Sequence, residues 1–230
     1  MRVRRIHPAG LPPAAALRLQ RWLAATGLAR GSLRGRLRLV AAVHCSASPD
    51  GHLHAVAVLC EGPDWKVVEE ASASGLPPAP SLPGLASFRE APLVLEALRK
   101  LPGRPQVLLV QGHGRLHPRR LGLASHVGLQ VEVPTVGVSP TLEVGTHQPA
   151  GPRRGEWVEV TDHGERLGVA LTTRAGAQPV YVSVGHRIGL LPAARIVLAC
   201  APQQRLPEPL RAAGLRSRRL AREAGARRPR

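Results

Sequence analysis

The chain has 230 residues, 43% of them hydrophobic, which excludes a disordered tail and allows one sizeable core. Aromatics are only 2%, so leucine, valine and alanine must fill that core. The net charge of +17 sits at the two ends: residues 1–38 hold nine arginines and no acid, and residues 205–230 hold nine arginines against Glu208 and Glu223.

Basic ends of this kind favour phosphate backbones, because each neutralised phosphate releases counterions. Codon bias explains why Lys66 and Lys100 are the only lysines, but it does not explain the missing acids. The three cysteines, Cys45, Cys60 and Cys200, argue for a reducing compartment rather than a disulfide framework. No apolar run approaches a membrane span, so no membrane partner and a cytoplasmic location are expected.

Along the chain, residues 13–26 place Leu19, Trp22, Leu23 and Thr26 at helical spacing, with Pro13 suited to the first turn. A Gly- and Arg-rich linker at 31–36 follows. Residues 36–46, 52–62 and 65–74 read as three strands in an antiparallel meander, with PDG at 49–51 as a turn. The proline-rich stretch 75–84 cannot be regular structure. The next helix turns Val94, Ala97, Leu98 and Leu101 inward and carries Glu90 on the edge of that face.

Residues 105–110 read as a short strand buried on both faces. Pro118 is placed to start a helix with Leu121, Ala124, Ser125 and Gly128 facing in, and 133–139 is another buried strand. EWVEVTD, LGVALTT and PVYVSVG follow as strands, and 192–200 and 208–223 as helices. Three antiparallel strands, then helix, strand, helix and strand is the layout of a ribonuclease-H-like α/β fold with a mixed sheet. The expected divisions are a basic N-terminal segment over 1–35, the main domain over 36–204 and an Arg-rich helix and tail over 205–230.

The loop QGHGRLHPRR follows a buried strand, where ligands bind in open α/β sheets. Gly112 and Gly114 permit close backbone approach. His113 and His117 could bind a metal, donate to a phosphate or cap the next helix. Glu90 needs a partner to offset desolvation: Arg89, Arg120 or a divalent cation. His186 follows a buried strand, and a structural role is the commoner one for such a histidine.

Five blocks then carry a resemblance. SLPGLASFRE at 81–90 resembles Y-x-P-G-x-x-x-F-R-E, and VQGHGRLHPRRLGLASHVG resembles V-D-G-H-G-x-x-H-P-R-x-x-G-x-A-x-H-x-G. VPTVGVSPT, PVYVSVGHRIGL and RLPEPLRAA resemble P-T-x-G-V-A-K-S, P-x-Y-x-S-x-G-H-R and R-x-P-E-P-x-R. From about residue 36 to about 220 the sequence is similar to endonuclease V, the family that cleaves nucleic acid near deaminated bases, chiefly inosine.

The resemblance implies attack of metal-activated water on a phosphodiester, with Mg²⁺ or Mn²⁺ held by carboxylates. It implies catalytic roles for Glu90, His117 and His186. It also exposes three departures: His44 stands at the Asp of V-D-x-S, Gln111 at the Asp before G-H-G, and Pro140 at the Lys of A-K-S. Glu90 and, weakly, His44 are left as metal ligands. The loop Pro80, Ser81, Leu82, Pro83 matches the base-extruding wedge without its tyrosine, and Gly84, Ala86, Gly112 and Gly114 match a largely backbone-built base pocket.

A single missing electrostatic contact of this kind costs on the order of a hundredfold in rate. The expected protein is a monomer that binds DNA or RNA, with cleavage lost or severely weakened. Two alternatives stand: a remodelled Mn²⁺ or Zn²⁺ site using His44, Glu90, His117 and Gln111, and a scaffold that binds through its basic ends alone.

Overall fold

Short links between alternating apolar runs produce one eight-stranded sheet. The computed structural model describes residues 1–28, 31, 33 and 35–226; the linker at 31–36 lies partly outside these, as do residues 227–230 of the tail. β1 (Leu39–Ala47), β2 (Leu53–Glu61) and β3 (Lys66–Gly75) form the expected antiparallel meander. Gly51 closes its first turn at φ 83, a conformation open to glycine, with its N–H donated to the Ser48 carbonyl at 2.9 Å.

β4 (Val107–Gln111) pairs in parallel with the other side of β1, and β5 (Thr135–Ser139) pairs in parallel with β4. Parallel neighbours need crossovers. α2 (Ala86–Lys100) and α3 (Leu123–Gly128) supply them. β6 (Trp157–Asp162), β7 (Glu165–Leu171) and β8 (Val180–His186) complete the order β3-β2-β1-β4-β5-β8-β7-β6. This is a mixed α/β sheet of ribonuclease-H-like layout, as the strand order in the sequence implied.

The period-two alternation of each strand sends side chains to two separate cores. Val40, Ala42, Val107 and Leu109 face α4 (Leu190–Ala199) and α5 (Glu208–Ala226), meeting Val197, Leu210 and Ala213. Ala41, Val43, Leu108 and Val110 face α2 and α3, meeting Val94, Ala97, Leu98, Ala124 and Val127. Each fully buried leucine or valine contributes about 2 kcal/mol relative to an exposed one.

Two local expectations are corrected. In α1 (Pro13–Thr26) the buried residues are Ala16, Gln20 and Leu23, whereas Trp22 is 61% exposed. The Gln20 amide donates to the carbonyls of Gly84 and Leu121, at 2.9 and 2.8 Å, so a satisfied polar side chain takes the inner face. Pro118 does not start a helix. Arg120 adopts φ 60, and Gly122 packs so closely that a Cβ there would lie 2.3 Å from the His113 carbonyl oxygen. The helix therefore begins at Leu123, and Leu121 is buried outside it.

Candidate functional site

The C-terminal ends of β1 and β4 lie side by side. Val43 pairs with Val110 in the last parallel register position, so His44 and Gln111 are the next residues at that edge. Alternation from Val40 and Ala42 sends His44 to the α5 face, and alternation from Val107 and Leu109 sends Gln111 there too. Two of the degenerate positions thus share one face of the sheet.

α5 meets His44 with a serine. His44 Nδ1 lies 2.6 Å from Ser217 Oγ, and Ser46 Oγ lies 2.9 Å from the same oxygen. Ser217 is fully buried, and its hydroxyl also reaches the Gly214 carbonyl at 3.2 Å. Burial, reinforced by the positive charge of Arg218, pushes the His44 pKa down to about 4. The imidazole is therefore neutral at physiological pH.

Glu90 is carried by α2, the helix packed on the opposite face of the sheet. The side chain that feels its charge is Cys45, whose neighbours belong to the α2 core. Burial pushes the Glu90 carboxyl up to about 7, with Arg89 opposing the shift. Of the partners weighed from sequence, Arg89 is the one beside it. Arg120 instead binds Asp162 at 2.9 Å and Glu165 at 2.7 Å. Burial, and secondarily Glu90, pushes the Cys45 thiol up to about 12.

The glycine loop beyond β4 builds a third cluster. Gly112 adopts φ 139, and its N–H donates to the Val138 carbonyl at 3.0 Å. Gly114 donates to Ser183 Oγ at 2.8 Å, and a Cβ on it would sit 2.0 Å from the Val184 carbonyl oxygen. His113 Nδ1 lies 3.0 Å from Glu143, and its Nε2 lies 2.9 Å from the Thr141 carbonyl.

His117 is 4% exposed; its Nδ1 accepts the Arg119 N–H at 3.1 Å, and its Nε2 points at Glu143 from 3.8 Å. Burial holds the His117 pKa down at about 4 against the pull of Glu143. The Gly84 backbone also acts on the His117 ring, which lies close to the proline-rich loop.

That loop is exposed over Pro80, Ser81, Leu82 and Pro83, and Ala86 is exposed at the start of α2. Gly84 turns it at φ 69, with the Arg119 guanidinium where a Cβ would project. Gln20 ties the three pieces together: its amide donates to Gly84, and its oxygen accepts from Arg119 Nε at 2.5 Å. Gly84, His117 and Arg119 therefore converge.

Pro140 lies at the same edge of the sheet, because β5 runs parallel to β4 and Val138 pairs with Gln111. Pro140 follows β5, and its carbonyl accepts from Arg205 at 2.8 Å. His186 pairs with Thr135, at the opposite end of β5 from Ser139, roughly 13 Å along the strand. The fold does not bring it to the edge that holds His44 and Gln111. Sequence reading missed Gln20, Arg119, Glu143, Ser217 and Arg218. The arginine pair after His117 was the one available signal.

A hard divalent cation needs several oxygen ligands with negative charge among them. Here an imidazole hydrogen-bonded to serine, an uncharged amide and a single carboxylate do not fit that need. Among the described residues, no group of three or more His, Cys, Asp or Glu side chains is placed to hold a metal ion. Among those residues, too, no helix is long and apolar enough to cross a membrane.

The sequence of the whole domain points to one family. The Endonuclease V family model matches residues 24–215. An Endonuclease V of Roseiflexus sp. (strain RS-1) is 48% identical over 179 residues, 78% of this chain and 80% of the relative. The crystal structure of Endonuclease V from Streptomyces avermitilis superposes with TM-score 0.88 at 34% identity, covering 97% of this chain and 99% of that one. Endonuclease V of Ciona intestinalis, crystallised with a 23mer DNA containing an inosine followed by a ribo-adenosine, superposes with TM-score 0.80 at 25% identity, covering 92% of this chain and 97% of that one. A family model spanning most of the length, joined by a relative of this identity, means that the chain belongs to the Endonuclease V family.

Proposed function

We propose that this protein is a nucleic-acid-binding member of the family whose metal-dependent phosphodiester cleavage is lost or severely weakened. The observation that carries the reading is that His44 and Gln111 follow the last paired residues of β1 and β4, with Arg218 rather than a carboxylate adding charge beside His44. Water activation by Mg²⁺ or Mn²⁺ needs a negatively charged cradle, and these residues do not make one.

The base-recognition side fares better. Gly84 and Gly112 keep backbone conformations with positive φ; Gln20, itself held by Arg119, donates to the Gly84 carbonyl, and Gly112 donates to the Val138 carbonyl. A pocket of backbone groups tolerates side-chain drift, so the reading includes selectivity for a strand containing inosine. Exposed arginines on α1 and α5, among them Arg18, Arg21 and Arg222, supply the cationic track that a phosphate backbone needs.

The test is a paired binding and cleavage assay on inosine-containing and matched control strands, as DNA and as RNA, with Mg²⁺ and with Mn²⁺. The expected result is selective binding with no more cutting than Glu90→Ala gives. Cutting that needs Mg²⁺ or Mn²⁺ and vanishes in Glu90→Ala would overturn the reading. Binding without base preference would support the scaffold alternative instead.

A further inference from the structure

The α5 helix carries a cation in an unusual setting. Three other arginines of the helix pair with carboxylates: Arg211 with Glu208 at 2.7 Å, Arg216 with Glu70 at 2.5 Å and Arg219 with Glu223 at 3.5 Å. Arg218 makes no ion pair with a carboxylate among the described residues. It is exposed, yet its guanidinium folds back one turn along the helix over Gly214. A Cβ on Gly214 would lie 3.1 Å from Nη1 and 3.3 Å from Nη2, so the bare glycine leaves that berth open. The charge acts on His44, and His44 is held by Ser217, the residue just before Arg218.

We infer that Arg218 binds a backbone phosphate of a nucleic-acid strand directly at the ends of β1 and β4, where a divalent cation would otherwise bridge protein and phosphate. The inference rests on the nucleic-acid-binding reading above. Electrostatics sets its direction. Gln111 is uncharged, and among the described residues no carboxylate pairs with the Arg218 guanidinium. Such a site attracts an anion and repels a divalent cation. A guanidinium also matches phosphate geometry in a bidentate way, which a point charge cannot do. Ser46, half-buried beside His44, adds a hydroxyl at the same edge.

The consequence is binding that needs no metal. The test uses fluorescence anisotropy of the full-length protein with a fluorescein-labelled single-stranded DNA bearing one inosine, across a salt series in EDTA. The wild-type protein is expected to bind equally well in EDTA and in Mg²⁺. Arg218→Ala is expected to weaken binding about tenfold and to lower the salt slope by about one, the signature of one lost phosphate contact. Arg218→Lys should keep the slope while losing part of the affinity.

Arg219→Ala, one position along the exposed face, is the control and should change affinity less than Arg218→Ala. Equal effects of the two alanine variants, or binding that EDTA abolishes, would overturn the assignment while leaving nucleic-acid binding intact. Absence of any binding by the wild type would overturn the underlying reading instead. Arg218 is exposed, so its loss should leave the thermal unfolding midpoint close to that of the wild type.

Discussion

Replacing Glu90 by glutamine should stabilise the protein, increasingly as pH rises above 4.5. Burial raises this carboxyl from 4.5 to about 7. At about 1.4 kcal/mol per pKa unit, that shift amounts to about 3 kcal/mol against the folded state once the group is ionised. Below pH 4.5 the group is protonated in both states and contributes nothing. Between pH 4.5 and about 7 the unfolded chain releases its proton while the folded one retains it, so stability falls; above that it levels.

Two buried histidines act the other way. His44 and His117, with pKa values lowered from 6.5 to about 4, lose stability as pH falls below 6.5. The measurement must therefore be a difference: urea unfolding of the wild type and Glu90→Gln, at about pH 4 and about pH 8. Near-identical stabilities are expected at the lower pH, and a gain of about 3 kcal/mol for the variant at the higher. A variant that gains nothing at the higher pH, or loses stability there, would refute the reasoning. It would show that the carboxylate is ionised and compensated, as a bound cation would compensate it.

Two further outcomes follow from the same geometry. Gln20→Leu removes the donors that satisfy the Gly84 and Leu121 carbonyls and the acceptor for Arg119. It should cost about 2 to 3 kcal/mol in thermal or urea unfolding and reduce inosine selectivity more than total binding. The variant His44→Asp with Gln111→Asp and Pro140→Lys should regain Mg²⁺-dependent cleavage of an inosine strand. If it binds metal and nucleic acid yet stays inert, Ser81 in the wedge loop becomes the next suspect.

Most of the sheet was legible because apolar runs as short as VLLV admit few alternatives once turn residues bound them. The site was legible in part. Adjacency of His44 and Gln111 follows from strand order, which the element sequence implied. Helical spacing could not reveal that Gln20 rather than Trp22 faces in, because its hydrogen-bond partners come from two distant loops. The position of His186 was hidden for a similar reason: β8 runs antiparallel to β5, so a residue at its end lands at the start of β5. Ser217 and Arg218 lay in a stretch whose arginines masked its buried side, Leu210, Ala213 and Ser217.

That buried side has a consequence for how the protein comes into being. α5 covers Val40, Ala42, Val56 and Val58, which belong to the first two strands, yet it is translated long after them. During synthesis the meander must wait at the ribosome with one apolar flank bare, a condition that invites aggregation and chaperone capture. Clipping the cationic helix to probe its charge would leave that flank permanently uncovered, so charge is better edited one guanidinium at a time.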